Sequence, residues 1–127
     1  MDFTTSATRL SARKVFRWTL QILVGLAFIA AAAAKIFSAP PMVEVFDRIG
    51  FGQWFRYVVA VIELTGGILL ILPRRALFGA LILSITMLGA LLTHALIIGG
   101  QWQPAAGLFV LSLLLVWLNA LKQEGEK

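Results

Sequence analysis

Residues 76–121 read ALFGALILSITMLGALLTHALIIGGQWQPAAGLFVLSLLLVWLNAL, without a single Lys, Arg, Asp or Glu. A membrane-spanning helix needs about 20 predominantly apolar residues, so this stretch is too long for one span. Residues 99–104 divide it, because glycine, proline and amide side chains interrupt apolar helices. We therefore predict that the chain ends in two spans, at about residues 76–98 and 104–121.

Two further apolar stretches precede this one. Residues 18–37 carry one charge, Lys35, and residues 55–72 carry Arg56 at the entry and Glu63 inside. Continuously apolar stretches favour helices, because barrel strands would alternate apolar and polar residues. The sequence predicts an all-α, integral membrane four-helix bundle over residues 18–121. Residues 1–17 form a basic N-terminal segment and residues 122–127 a short tail.

The composition excludes several other classes of protein. The 127 residues are 60% hydrophobic and 13% charged, with a mean hydropathy of +0.91. Globular domains are about 25% charged, so a soluble enzyme and a disordered chain are both excluded. The chain has no Cys, which excludes a disulfide scaffold, a thiolate metal site and thiol chemistry. It has one His, which excludes bis-histidine haem ligation within the chain, and no metal site is expected.

The basic residues predict orientation. The net charge is +5, but the basic residues flank apolar stretches, which indicates a membrane surface and not nucleic acid. Residues 1–17, the turn at 73–75 and the tail hold eight of the eleven Lys and Arg residues. Cytoplasmic loops are enriched in these residues. We therefore expect a bacterial cytoplasmic (inner) membrane protein with both termini in the cytoplasm.

One alternative changes this topology. The basic start, the apolar stretch and the alanines at 31–34 resemble a signal peptide with a small-residue cleavage site. The long basic segment and Lys35 favour a retained anchor instead. Cleavage would leave three spans.

The segment between the first two spans predicts a short amphipathic helix. Its apolar residues recur at i, i+3, i+4 and i+7, as on one helix face, and Gly50 is placed to end the helix. The apolar face comprises Met42, Val45, Phe46 and Ile49, and the polar face Glu44, Asp47 and Arg48. This helix is expected to lie on the outer surface or over the mouth of the bundle.

Each predicted span also has one seam of small or polar residues, repeating every three or four positions, as in packed bundles. The seams are Gln21, Gly25, Phe28, Ala32 and Lys35; Ala60, Glu63, Gly66 and Gly67; Gly79, Leu83, Thr86, Ala90 and His94; and Ala105, Phe109, Ser112, Val116 and Asn119. The ionisable residues lie on these seams, so the sequence predicts a polar cluster inside the bundle, in its outer half.

Lys35, Glu63 and His94 are therefore the candidate binding or proton-relay residues, with Arg56 at the entry. A charge at mid-bilayer costs about 2.5–3.5 kcal/mol, so each needs a partner, water or neutralisation. Each also has a purely structural interpretation. Lys35 can extend to the interface, Glu63 can pair with Lys35, and His94 can bond a backbone carbonyl or Thr93. No catalytic residue is assigned.

Three segments resemble the DoxX-like family of small four-span bacterial membrane proteins. They are AAAAKIF (31–37), FDRIGFGQWFRYVVAVIELTGGILLILPR (46–74) and MLGALLTH (87–94). The most specific match is E-x-x-G-G-x-x-L-x-x-P-R, from Glu63 to Arg74. Family members often have glycine where Ala32 stands. The resemblance covers about residues 14–121 and places functional interest on Lys35, Glu63 and His94.

The resemblance implies a link to quinone-coupled oxidoreductases. We expect an accessory or quinone-associated subunit of a membrane redox system, not a stand-alone enzyme, with quinone as the candidate ligand. Its expected partners are lipid, a membrane oxidoreductase and, through its glycine-rich faces, a second copy. A small proton-coupled transporter and a structural membrane protein without a ligand are the alternatives.

Overall fold

The computed structural model describes residues 3–125, including the side chains of Arg9 and residues 11–124. Every element in that range is helical, which confirms the all-α prediction. The elements are α1 (Phe3–Ile36), α2 (Pro40–Ile49), α3 (Trp54–Ile71), α4 (Ala76–Thr93), a π-helical turn (His94–Ile98) and α5 (Gln103–Gly125). Residues 1–2 and 126–127 of the predicted terminal segments lie outside the described range.

Four helical stretches are long and apolar enough to cross a membrane, as predicted. They are Ser11–Ile36, Trp54–Ile71, Ala76–Ile98 and Gln103–Glu124. The main difference concerns α1, which begins at Phe3 and not near residue 18. The basic segment contains good helix formers and no Gly or Pro, so the helix of the first span continues into it.

The spans run alternately up and down. α3 packs between α1 and α4, α5 packs on α4, and α5 also contacts α1. Glycines allow the backbones to approach closely. A Cβ atom on Gly67 would lie 3.0 Å from the Gly25 carbonyl oxygen of α1, and one on Gly79 would lie 2.6 Å from the Leu70 nitrogen of α3.

The predicted seams of the first two spans are confirmed, because every member is buried. In the third span, α4, the buried face is rotated relative to the predicted seam. Thr86, Ala90 and His94 are only half-buried, while Ala80, Ser84 and Met87 replace them in the core. On α5, Ala105, Ser112 and Asn119 are buried, and Phe109 and Val116 are half-buried.

The predicted amphipathic helix is α2. Phe46 is buried, its apolar neighbours are half-buried, and the charged face is exposed. Gly50 ends the helix with φ +85°, and its N–H donates to the Phe46 carbonyl at 3.3 Å. α2 contacts α1, α3 and the π-helical turn, so it lies over one end of the bundle.

We name the two ends of the bundle by residues. The Lys35 end comprises the C-terminal end of α1, α2, the N-terminal end of α3 and the π-helical turn. The Arg74 end comprises the start of α1, the turn between α3 and α4, and the C-terminal end of α5.

Candidate functional site

A buried ion pair joins the first two spans. The Lys35 Nζ lies 3.0 Å from Glu63 Oε1 and 3.1 Å from Glu63 Oε2. Glu63 is only 2% exposed and Lys35 9% exposed. Lys35 comes from the last turn of α1, whereas Glu63 lies nine residues into α3, about 13 Å along its axis. The long aliphatic stem of Lys35 makes this contact possible, because it carries the ammonium inward to the carboxylate.

Arg56 is buried beside this pair. Its Nη1 donates to the Lys35 carbonyl oxygen and, at 2.8 Å, to Ser38 Oγ. The last four carbonyls of a helix have no partner within the helix, and a cation at that end also interacts favourably with the helix dipole. Arg56 therefore caps α1 from the first turn of α3. We call Lys35, Arg56 and Glu63 the ionic cluster.

The ionic cluster reaches the protein surface through polar neighbours. Arg56 Nη2 donates to the Tyr57 hydroxyl at 3.2 Å, and its guanidinium carbon lies 4.5 Å from the centre of the Tyr57 ring. Ser38 Oγ lies 3.5 Å from the Tyr57 hydroxyl, and both residues are exposed. Arg56 Nε donates to Gln53 Oε1 at 2.8 Å, and Gln53 Nε2 donates to Asp47 on α2 at 2.7 Å. Polar groups thus connect Arg56 to the surface at the Lys35 end, and Arg56 meets the ion pair through the main-chain carbonyl of Lys35.

His94 occupies a different position at this end. Its Nδ1 lies 3.0 Å from the Gly99 carbonyl oxygen, across the π-helical turn. A carbonyl oxygen can only accept, so Nδ1 carries a proton, and Nε2 is the acceptor of the neutral ring. His94 lines a largely apolar cavity of about 480 Å³ together with Leu91, Leu92, Ala95, Gly99, Gly100 and Trp102. The structure brings Lys35, Glu63 and Arg56 into one cluster, and it places His94 in a separate cavity.

A second buried polar contact lies nearer the Arg74 end. Asn119 Nδ2 donates to Gln21 Oε1 at 3.0 Å and to the Leu115 carbonyl at 2.8 Å. Gln21 Nε2 donates to the Leu70 carbonyl of α3 at 3.2 Å. Gln21 and Asn119, which we call the amide pair, therefore tie α1, α3 and α5 together without any charge.

Among the described residues, Ser112 Oγ is the buried side-chain oxygen or nitrogen atom without a hydrogen-bond partner. The same part of the chain holds no group of three His, Asp or Glu side chains that could bind a metal ion.

Sequence reasoning identified the ionisable residues but not the contacts around them. Ser38, Gln53 and Tyr57 were not singled out, although the spacing of Gln53 and Arg56 by three residues in the first turn of α3 could have indicated their contact. The contact between Gln21 and Asn119 joins residues that are 98 positions apart. Both lie on predicted seams, but their pairing follows only from the order of helices around the bundle.

The fold and this site define a class: a multi-pass membrane protein whose four helices contact lipid and enclose a charged pair. Comparison with known proteins is consistent with this class. The chain belongs to the DoxX-like family, whose sequence model matches residues 19–118. The matched range contains Lys35, Arg56, Glu63 and His94.

The chain is also similar to the protein of Bacillus subtilis (strain 168) named "Putative oxidoreductase CatD". The two are 27% identical over 74 residues. This alignment covers 58% of the chain and 55% of the relative, so the chain spans about half the length of the curated relative it matches. No solved structure matches the chain.

Proposed function

We propose that the chain is an accessory subunit of a membrane redox system and binds a quinone-like head group at its Lys35 end. The observation that carries this proposal is the buried Lys35–Glu63 ion pair. A charged pair inside a lipid-embedded bundle is costly to bury, and ionisable residues in such positions commonly mark ligand or proton pathways. The oxidoreductase name of the Bacillus subtilis relative supports a redox association.

The residues at this end fit the chemistry of such a ligand. A quinone supplies reversible two-electron, two-proton transfer, and its polar atoms are carbonyl oxygens or hydroxyl groups. Arg56 and Tyr57 would donate to a carbonyl oxygen at the exposed rim. Glu63 would accept a hydrogen bond or a proton from a hydroxyl group, and Lys35 would remain its counter-ion. Glu63 itself is buried, so the ligand would approach through the rim formed by Ser38 and Tyr57.

His94 gives the same end a second polar contact. Its cavity has apolar walls and an indole ring from Trp102, which suit an aromatic ligand. His94 Nε2 would accept a hydrogen bond from a hydroxyl group of the ligand, and the two ring nitrogens would let the side chain pass on a proton.

The proposal includes location and partners. The basic Arg74 end would face the cytoplasm of a bacterial inner membrane, so the Lys35 end would face outward. A membrane oxidoreductase would be the electron-transfer partner. A second copy of the chain would have room at Gly89 and Gly107, where an added Cβ would meet no atom within 4 Å.

Measurement of quinone bound to the purified protein tests this function. Protein isolated from membranes in a mild detergent should contain extractable quinone, and Glu63→Gln should reduce it. Loss of a charged hydrogen-bond partner costs about 1.5–3 kcal/mol, so we expect affinity to fall by roughly 10- to 150-fold. His94→Leu, measured in parallel, determines whether the His94 cavity contributes to the same ligand.

Gln21→Leu is the matched control, because Gln21 is also buried and polar in the same α1–α3 interface. It should leave the quinone content unchanged. Wild-type protein that carries no quinone and co-purifies with no oxidoreductase would contradict the proposal. Solute or proton flux in proteoliposomes that Glu63→Gln abolishes would instead support a transporter. If Glu63→Gln alters only thermal stability, the cluster is structural.

A further inference from the structure

The charges of the described residues are divided unequally between the two ends of the bundle. The Arg74 end has seven basic residues and one acidic residue, Glu124, whereas the Lys35 end has three of each sign. The seven are Arg9, Arg13, Lys14, Arg17, Arg74, Arg75 and Lys122. Both salt bridges of the described residues, Lys35–Glu63 and Glu44–Arg48, lie at the Lys35 end, so neither neutralises this excess.

A groove of about 570 Å³ lies within this basic end. It is lined by Pro73, Arg74, Ala76, Leu77, Asn119, Lys122 and Gln123, from the α3–α4 turn, the start of α4 and the end of α5. Lys122 Nζ donates to the Pro73 carbonyl at 3.2 Å, which holds the ammonium beside the turn. An ammonium has three donors, so two remain for a ligand. Arg74 is exposed and adds a second cation.

The groove also offers an acceptor. Asn119 is 4% exposed, and its Nδ2 is committed to Gln21 and to the Leu115 carbonyl. No described residue donates to Asn119 Oδ1. This oxygen can therefore accept a hydrogen bond from a hydroxyl group of a ligand. The neighbouring cations can bind a phosphate group of the same ligand.

The surroundings favour a lipid as the source of that phosphate. Phe78 follows the lining residue Leu77, and Trp117 precedes the lining residue Asn119 by two positions. Both lie on the apolar surface, where they are 54% and 58% exposed. An acyl chain could lie on this surface while its phosphate meets the basic groove. Clusters of basic residues at the end of membrane helices bind anionic lipids, with each cation contributing about 1 kcal/mol.

We infer that this groove binds the head group of an anionic phospholipid, with Arg74 and Lys122 contacting the phosphate and Asn119 accepting from a head-group hydroxyl. This inference does not depend on the proposed redox function, because it concerns the opposite end of the bundle.

Lipid titration with native mass spectrometry tests it. Delipidated full-length protein in detergent is titrated with phosphatidylglycerol or phosphatidylcholine. Phosphatidylglycerol should bind at least tenfold more tightly. Removal of both cations in the Arg74→Gln, Lys122→Gln double variant should weaken the binding of phosphatidylglycerol by roughly 25-fold, about fivefold for each charge.

Arg75→Gln is the matched control. Arg75 adjoins Arg74 in the same turn and is exposed, but it does not line the groove. In 0.15 M salt we expect its loss to change affinity by at most about twofold, because screening weakens exposed charges that do not contact the ligand. An effect of Arg75→Gln equal to that of Arg74→Gln would overturn the inference, since it would indicate diffuse attraction.

Two further results decide the source of the phosphate and guard against misfolding. sn-Glycerol 3-phosphate should not displace the lipid at equal concentration, and full displacement would overturn the assignment to a lipid. The thermal unfolding of the lipid-free double variant reports whether it folds. If the double variant does not fold, the single variant Arg74→Gln is used for the binding test, because that exposed side chain makes no hydrogen bond to a described residue. Equal binding of phosphatidylglycerol and phosphatidylcholine would also contradict the inference.

Discussion

α1 is joined to its neighbouring helices by two buried polar contacts of different kinds, and each includes a contact to α3. Near the Arg74 end, the amide pair is neutral, and each amide nitrogen has an acceptor. Near the Lys35 end, the ionic cluster buries a carboxylate and two cations. Both contacts set the register of α1 against α3. Neutral amides do this at a lower desolvation cost than ions, so helix packing alone does not explain the ion pair.

The largest expected effect comes from breaking the ion pair. Lys35→Met leaves the buried Glu63 carboxylate without its cation, and removal of one partner from a buried pair costs about 3–5 kcal/mol. The free energy of unfolding, measured by denaturant titration in detergent, should fall by about this amount. Replacing both residues, as in Lys35→Met with Glu63→Met, should recover most of the loss.

Arg48→Met is the control for this measurement. Arg48 pairs with Glu44 at 2.5 Å on α2, but both side chains are more than half exposed. Its loss should cost less than about 1 kcal/mol. Equal losses for Lys35→Met and Arg48→Met would show that the buried pair is solvated, and would remove the contrast between the two contacts.

An intermediate effect is expected where α1 and α3 cross between the two contacts. Gly67→Ala would place a methyl group 3.0 Å from the Gly25 carbonyl oxygen, which belongs to a backbone that can shift only with its helix. Overpacking of this kind costs about 1–3 kcal/mol. The same unfolding titration should show that loss. Gly89→Ala, which meets no atom within 4 Å, should leave stability unchanged or raise it.

A smaller effect should come from the amide pair. Gln21→Leu removes hydrogen bonds to Asn119 and to the Leu70 carbonyl. Hydrogen bonds between membrane helices contribute about 0.6 kcal/mol on average and up to about 1.7 kcal/mol, so stability should fall within that range. Ser112→Ala deletes a buried hydroxyl that has no partner in the described structure, and it should cost nothing. A loss from Gln21→Leu as large as that from Lys35→Met would make the two contacts equivalent.

The fold was largely predictable because apolar length and spacing determine which segments span a membrane. The four spans, the apolar face of α2 and the helix end at Gly50 all follow from local patterns. The seams of α1 and α3 were also predicted, since small residues at regular spacing indicate close helix packing.

Three features could not be predicted, for distinct physical reasons. The start of α1 at Phe3 leaves no signal in hydropathy, because the helix continues through polar residues. The π-helical turn at His94–Ile98 inserts an extra residue into the last turn, which an apolar pattern does not reveal. His94 lies outside the core because the buried face of α4 already differs from the predicted seam at Thr86 and Ala90. The role of Arg56 as a cap of α1 depends on where α3 begins in space, which local sequence does not determine.

That cap has a consequence for the chain between the two helices. The polypeptide leaves the bundle after Ile36 and returns at Trp54, and the Arg56 guanidinium joins the points of departure and return. The two ends of the segment that contains α2 are therefore held together at the surface of the bundle. Movement of that segment would be transmitted to α3, because the rings of Phe46 and Phe51 pack on Phe55 of α3 at centre distances of 5.8 and 5.5 Å.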